Sequence, residues 1–328
     1  MKKTARIFAF LLVLSSLPTL CEASWIWSPD LGKWINPRKA AKDTPDQQYE
    51  WAMQFYQQKN WDRAIDEFSK LPEVFPNSRL AAEGVYFVGQ SQEQKGDIAK
   101  AADAYQKLVD KYPYSDRIKD AIKREFEIAG RFGNGEKIKV AGIPTFSGRD
   151  KAIELYMHIV KNAPYGTYGD QAQFQIGEVH KSIGDYDEAL KAYRAVIDDY
   201  PNSDLVPKAK YQIAYASMLA SKSARYNDET SQKAIDEFKN FKDAYPQNAQ
   251  SVEADESIKA LRAKKAMSGY ETAAFYDKQG RLTSAKVYYQ EVITKFPETP
   301  AAGMAQKRLE DLVKNPGESA KPKKFLLW

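Results

Sequence analysis

Apolar and polar positions repeat along this chain in a fixed order. An Ala is followed four residues later by an aromatic residue, and eight residues after that by Pro. This happens six times, at Ala64/Phe68/Pro76, Ala101/Tyr105/Pro113, Ala152/Tyr156/Pro164, Ala189/Tyr193/Pro201, Ala234/Phe238/Pro246 and Ala285/Tyr289/Pro297. An i, i+4 spacing puts the Ala and the ring on one face of a helix. The small side chain lets a neighbouring helix approach, and the ring fills the space beside it. Pro ends the helix, because it has no N–H and clashes with the preceding turn. The Pro follows Phe75, Tyr112, Ala163, Tyr200, Tyr245 or Phe296, and polar residues such as Asn77-Ser78 and Asn202-Ser203 come next. Most units carry a second helical pattern upstream. Tyr86, Gly89 and Gln90 precede Gly96-Asp97; Phe174, Gly177 and Glu178 precede Gly184-Asp185; Tyr270, Ala273 and Tyr276 precede Gly280. Gly in those last places suits a sharp turn between antiparallel helices. The pattern predicts helix pairs in which Ala, ring and Pro are packing residues.

This order of small, aromatic, Ala, aromatic and Pro positions resembles the tetratricopeptide repeat, a helix–turn–helix unit of about 34 residues. The resemblance covers residues 46–312, and units 80–116 and 168–204 match at nearly every position. It implies an all-α fold, a right-handed superhelical solenoid of about six repeats. The Pro-to-Pro spacings of 37, 51, 37, 45 and 51 residues all exceed the usual unit, so helices are lengthened or loops inserted. The largest irregularity is 130–148, with Gly130, Gly133 and Gly135 followed by Lys137 to Phe146. It reads as a Gly-rich loop and a short extended apolar stretch inside the third unit. Glu136 stands where a phosphate-binding loop requires Lys, no Ser or Thr follows, and no strand precedes.

Charge and flanks change the picture at the ends. The chain has 328 residues, 49 Lys and Arg, 44 Asp and Glu, and a net charge of +5. Residues 1–23 read as a signal peptide: Lys2, Lys3 and Arg6 lead into the apolar stretch Ile7 to Leu17, then Pro18 and the small residues Cys21 and Ala23. Cleavage would leave +3, with the basic residues interspersed among acids, which is not the clustered footprint of a nucleic-acid binder. Cys21 is also a candidate lipidation site, although Leu20 stands where a small residue is expected. Residues 24–45 form a Trp-rich segment with Trp25, Trp27 and Trp34, in which two short strands and a turn at Pro29 to Gly32 would cap the first repeat. Residues 313–328 read as a flexible tail ending in Phe325-Leu326-Leu327-Trp328.

One Cys and two His exclude an intrachain disulfide, a zinc site built on several cysteines and a His-rich metal centre. No nucleophile, zinc, calcium or complete phosphate motif is present. The expectation is a non-catalytic binding scaffold with no cofactor and no metal. In the tetratricopeptide family the first helices line a concave groove that takes extended peptides. The resemblance carries that role to Tyr49, Met53 and Tyr56, to Tyr86, Gln90 and Glu93, to Phe174, Glu178 and Lys181, and to Tyr270 and Asp277.

The second half narrows the resemblance. Residues 208–249 hold a long first helix, a polar connection from Ser221 to Thr230 and then Ala234 to Tyr245-Pro246, and the charged stretch Val252 to Lys265 follows. The last runs on into Tyr270 to Tyr276, Gly280, Ala285 and Phe296-Pro297. This order resembles the family of BamD, the tetratricopeptide component of the β-barrel assembly machinery of the outer membrane, over 168–312 and also 46–116. It implies an exported protein, periplasmic and held at the inner face of the outer membrane. Its partners would be other components of that machinery and unfolded outer-membrane protein segments, not nucleic acid. The poor lipidation signal, the sixth unit around 117–167, the Trp-rich start and the apolar tail depart from that family. The alternative is a generic periplasmic tetratricopeptide adaptor in cell-envelope or cell-division organisation.

Overall fold

The computed structural model describes residues 26–28, 33–35, 40–140, 143–223 and 228–315. The expected signal peptide with Cys21, and the tail beyond Asn315, lie outside the described residues. The described elements are β1 (Ile26–Ser28), β2 (Lys33–Ile35), α1 (Pro45–Gln57), α2 (Trp61–Val74), α3 (Arg79–Lys95), α4 (Ile98–Lys111) and α5 (Ile118–Gly133). They continue with β3 (Lys137–Val140), β4 (Ile143–Ser147), α6 (Arg149–Asn162), α7 (Gly169–Ser182), α8 (Tyr186–Asp199), α9 (Val206–Ser223), α10 (Asp228–Ala244), α11 (Gln250–Lys278), α12 (Leu282–Lys295) and α13 (Pro300–Lys314). The fold is all-α, an array of helix–turn–helix repeats: α1/α2, α3/α4, α5/α6, α7/α8, α9/α10 and α11/α12, followed by α13. The chain divides into two compact units, one up to Gly84 and one from Val85 onward.

The Ala/aromatic pattern does what its spacing predicts. All six Ala and all six rings of the repeated pattern are at most 2% exposed. The Pro positions make one turn six times over. The residue before Pro accepts a backbone hydrogen bond from the residue three positions on, at Ser78→Phe75, Ser115→Tyr112, Gly166→Ala163, Ser203→Tyr200, Asn248→Tyr245 and Thr299→Phe296, all 2.9–3.0 Å. Pro thus sits second in a β-turn, where its fixed φ is already correct. The residue preceding it ends the helix with φ between −122° and −140° at Phe75, Tyr112, Ala163, Tyr200 and Phe296.

In the first unit, Trp27 and Trp34 face each other across the antiparallel pair β1–β2, with ring centroids 5.8 Å apart, and both are exposed. Helix α1 starts at Thr44, whose hydroxyl accepts the Gln47 N–H, with Pro45 in the first turn. Buried Gln48 ties α1 to α2 through the Glu67 carbonyl at 2.8 Å and its carboxylate at 3.0 Å. Lys59, with φ 57°, occupies the left-handed turn position that Gly96, Gly184 and Gly280 fill in later repeats.

In the second unit each helix packs against its neighbours in sequence, and α6, α11 and α13 also reach back to α4, α9 and α11. The core is accordingly a chain of overlapping clusters, not one centre, as expected of a repeat array. The expected loop within 130–148 is a hairpin: β3 pairs antiparallel with β4 through Ile138↔Phe146 and Val140↔Ile143, with an irregularity after Ile138. Ile138 packs against the core, while Ile143 and Phe146 are exposed. Helix α11 is one continuous element of 29 residues. Its first half supplies Ala254, Ile258 and Leu261 to one cluster, and its second half supplies Ala266 and Ala273 to the next.

Two first helices carry Gly where a second-helix ring lies against them. A Cβ at Gly177 would stand 2.5 Å from the Tyr193 ring, and one at Gly89 would stand 2.7 Å from the Tyr105 ring. Ala favours a helix over Gly by about 1 kcal/mol, but overpacking a buried ring costs about 1–3 kcal/mol. Gly177→Ala is therefore expected to lower stability by up to about 2 kcal/mol in urea denaturation. A gain in stability would contradict the close approach.

Candidate functional site

The eleven positions expected to line a groove lie on α1, α3, α7 and α11. Tyr49, Met53 and Tyr56 are half-buried on α1. Tyr49 and Tyr56 both pack edge-on against Phe68, at 5.9 and 6.3 Å. Tyr86 is buried; the Arg117 guanidinium lies 4.8 Å from its ring, and its hydroxyl accepts a bond from Gln90 at 3.0 Å. Phe174 is buried against Tyr193. Half-buried Tyr270 packs on Tyr289 at 5.5 Å.

The four charged positions form a recurrent structure that the sequence reading treats only as groove lining. Tyr105 Oη donates to Glu93 Oε1 at 2.6 Å, Tyr193 Oη to Glu178 Oε1 at 2.7 Å, and Tyr289 Oη to Asp277 Oδ2 at 3.2 Å. Each of these rings belongs to the Ala/aromatic/Pro pattern, and each carboxylate belongs to the first helix of the same pair. A partner from a later first helix or from α13 completes the group. Arg124 of α5 binds Glu93 through Nε at 3.0 Å and through its terminal nitrogen. Arg308 of α13 binds Asp277 in two-pronged fashion at 2.7 and 3.0 Å. Both pairs span 31 residues.

The fourth repeat keeps the link and reverses its polarity. Lys181 stands where Glu93 and Asp277 stand in their helices, and it donates to Gln212 of α9, also 31 residues on, at 2.8 Å. Lys181 also holds Glu178 with two contacts of 2.9 Å, and Glu178 receives the Tyr193 hydroxyl. Three of the groove positions are therefore acceptors in cross-helix clamps. Burial first, and the neighbouring carboxylate second, push Tyr105 and Tyr193 far above the ordinary tyrosine range; at Tyr289 burial and then Asp277 do the same. All three phenols remain donors throughout the physiological range.

The residues thus divide. Phe174 and Asp277 are sealed inside and Tyr86 nearly so, and these three offer no surface to a ligand. The physical reason is that the ring of the second helix, or the cation of a later one, closes over them. Tyr49, Met53, Tyr56, Gln90, Glu93, Glu178, Lys181 and Tyr270 keep partial exposure. The sequence reading passes over Arg124, Gln212 and Arg308. The common step of 31 residues from Glu93, Lys181 and Asp277 is the signal that would find them.

One more buried charge sits beside this row. Glu125 of α5 is fully buried, and His158 Nδ1 of α6 approaches its Oε1 to 2.8 Å, without the alignment of a hydrogen bond. On its other side the His158 ring meets Asp110 of α4 at 3.1 Å. Burial raises the Glu125 carboxyl above its ordinary range. For His158 burial acts downward, and the two carboxylates outweigh it and raise it. Among the described residues, no group of three or more His, Cys, Asp or Glu converges on a metal position.

Removing one member of a clamp separates its terms. Arg308→Met leaves the Asp277 carboxylate buried without its cation, which costs about 3 kcal/mol or more. Tyr289→Phe removes one hydrogen bond to a charged group, worth about 1.5–3 kcal/mol. Chemical denaturation should rank Arg308→Met as the more destabilising, and the reverse order would show that the cation is dispensable.

Residues 164–324 match the YfiO family, described as outer membrane lipoprotein. Residues 49–116 match a tetratricopeptide repeat family. No curated protein matches the chain. Among solved structures, the MamA protein is 18% identical over 63% of this chain and 94% of its own, with a TM-score of 0.34. The thermophilic tetratricopeptide protein TTC0263 of Thermus thermophilus is 14% identical over 66% and 99%, with a TM-score of 0.32. The apo form of RapI is 14% identical over 81% and 99%, with a TM-score of 0.35. At these scores the three structures carry no argument about function. Helix-pair arrays of this kind build protein-binding surfaces, and with the repeat family on the early pairs and the lipoprotein family on the later ones, the chain is a BamD-like tetratricopeptide repeat protein.

Proposed function

We propose that this protein is a non-catalytic, exported scaffold for the assembly and insertion of β-barrel proteins into the outer membrane. The observation that carries the reading is the match of residues 164–324 to an outer membrane lipoprotein family. In this reading the early repeats take extended segments of unfolded outer-membrane proteins, and the last repeats dock on the barrel-forming partner of the machinery. No helix among the described residues is long and apolar enough to cross a membrane. Attachment to the inner face of the outer membrane then goes through a lipid on Cys21 or through a partner.

The partly exposed groove positions support peptide capture on general grounds. Rings give contact area at low entropic cost, and amides such as Gln90 satisfy the backbone of an extended chain. Co-purification from envelope extracts under mild crosslinking is expected to recover a β-barrel assembly partner. Recovery of cell-wall or division proteins alone would move the protein to a general adaptor role and sink the proposal. On the peptide side, Gln90→Ala is expected to weaken binding of an extended β-strand peptide about fivefold, while losing its bond to the Tyr86 hydroxyl lowers stability by about 1 kcal/mol and leaves the chain folded. Tyr86→Ala is the wrong probe, because it opens a cavity under Arg117. Unchanged affinity in Gln90→Ala would remove the second repeat from the site.

A further inference from the structure

We propose that the groove between α12 and α13 is the seat of the chain's own segment Phe325–Trp328. The groove has a volume of about 990 Å³ and an apolar floor of Val287, Leu309 and Val313. Val287 is 62% exposed and Val313 is 73% exposed. Both lie away from the packed faces of their helices, which carry Ala285, Tyr289 and Val292 on α12 and Ala301, Ala305 and Leu312 on α13. Within the second unit α4, α6, α8 and α10 each pack on the first helix of the next pair. Helix α13 is the last described helix, and a repeat array must cover or polarise its terminal face.

The chain supplies an occupant of matching chemistry at the right place. Val313 and Lys314 line the groove, and Asn315 is the last described residue. The segment 316–324 is polar, with Pro316-Gly317 at its start, and Phe325-Leu326-Leu327-Trp328 follows. Nine residues reach about 30 Å when extended. The groove runs from Val287 to Thr294 on α12, about 10 Å along the helix. The spacer is long enough to turn at Pro316-Gly317 and return the apolar residues over Val313. Tethering places them at an effective concentration on the order of millimolar, so a modest apolar contact suffices to hold them. The match to the lipoprotein family ends at residue 324, so the apolar segment lies beyond what that family shares. The proposal does not depend on the function proposed above.

The test uses the full chain with its one thiol removed by Cys21→Ser, at about 1 µM. Val287→Cys is paired with Leu326→Cys, and the control pairs Tyr114→Cys, at a fully exposed position, with Leu326→Cys. Mild oxidation is expected to close an intrachain disulfide in the first pair at least tenfold faster than in the control. Adding Phe325→Ser and Trp328→Ser to the first pair should slow it at least fivefold. Equal rates in the two pairs, no effect of the serine substitutions, or disulfides chiefly between chains would each overturn the proposal. The last result would make a second copy the occupant.

Discussion

A tyrosine ring lies against a glycine of the partner helix, and its hydroxyl rests on a carboxylate of that same helix. This contact sets the geometry of the second unit. At Gly89 and Gly177 the ring approaches so closely that no side chain fits beneath it. The hydroxyl then has to be satisfied in a buried place, and Glu93 or Glu178 does so. A carboxylate drawn inward in this way needs a cation, and Arg124 or Lys181 provides it. In the last pair Ala273 takes the glycine's place in the pattern, and Tyr289, Asp277 and Arg308 repeat the group. Apolar packing within a pair thus creates a polar requirement, and meeting that requirement joins the pair to the next element along the chain. The fixed step of 31 residues from Glu93 to Arg124 and from Asp277 to Arg308 is the trace of one geometry used twice.

The fourth repeat shows which part of this arrangement is constrained. Lys181 replaces the acid and Gln212 replaces the arginine, so donor and acceptor have exchanged sides. What persists is a buried hydroxyl on a carboxylate and a hydrogen bond across to a later first helix. Charge sign is free as long as every buried polar atom is paired. The third repeat does not repeat the group: His158 lies between the buried Glu125, which it approaches without the alignment of a hydrogen bond, and the exposed Asp110.

The helix pairs were legible because Ala, ring and Pro act locally: an i, i+4 face and a turn that Pro fits can be read within some twenty residues. Helix α11 was legible for the same reason, since no Pro or Gly pair interrupts Gln250 to Lys278. The hairpin of 137–147 was only half legible. Its extended character shows in Lys137 to Val140, but its pairing depends on the turn between the strands and on Ile138 finding the core. The candidate site was least legible. Whether Tyr86 or Phe174 faces a ligand or a neighbouring helix depends on which long-range cation or ring covers it, and Arg117 and Tyr193 lie 31 and 19 positions away. Family position alone assigns such a residue to a groove; burial reassigns it to the wall behind.

That reassignment constrains how any extended segment can be held. Glu93 and Glu178 are already committed to a tyrosine and a cation, and Asp277 is sealed. A ligand that competed for those carboxylates would have to break a clamp that also holds the next helix, at a cost of several kcal/mol. The groove proposed above would therefore not select its ligand by pairing with these acids. Within the second unit the uncharged positions that remain are the amide of Gln90 and the half-buried ring of Tyr270, which suit backbone and apolar side chains more than any particular charge. On the reading proposed above, a surface of this kind would recognise an extended apolar–polar alternation, not a sequence. That is the property the proposed scaffold for unfolded β-strands would need, and it would follow from packing having already used the charges.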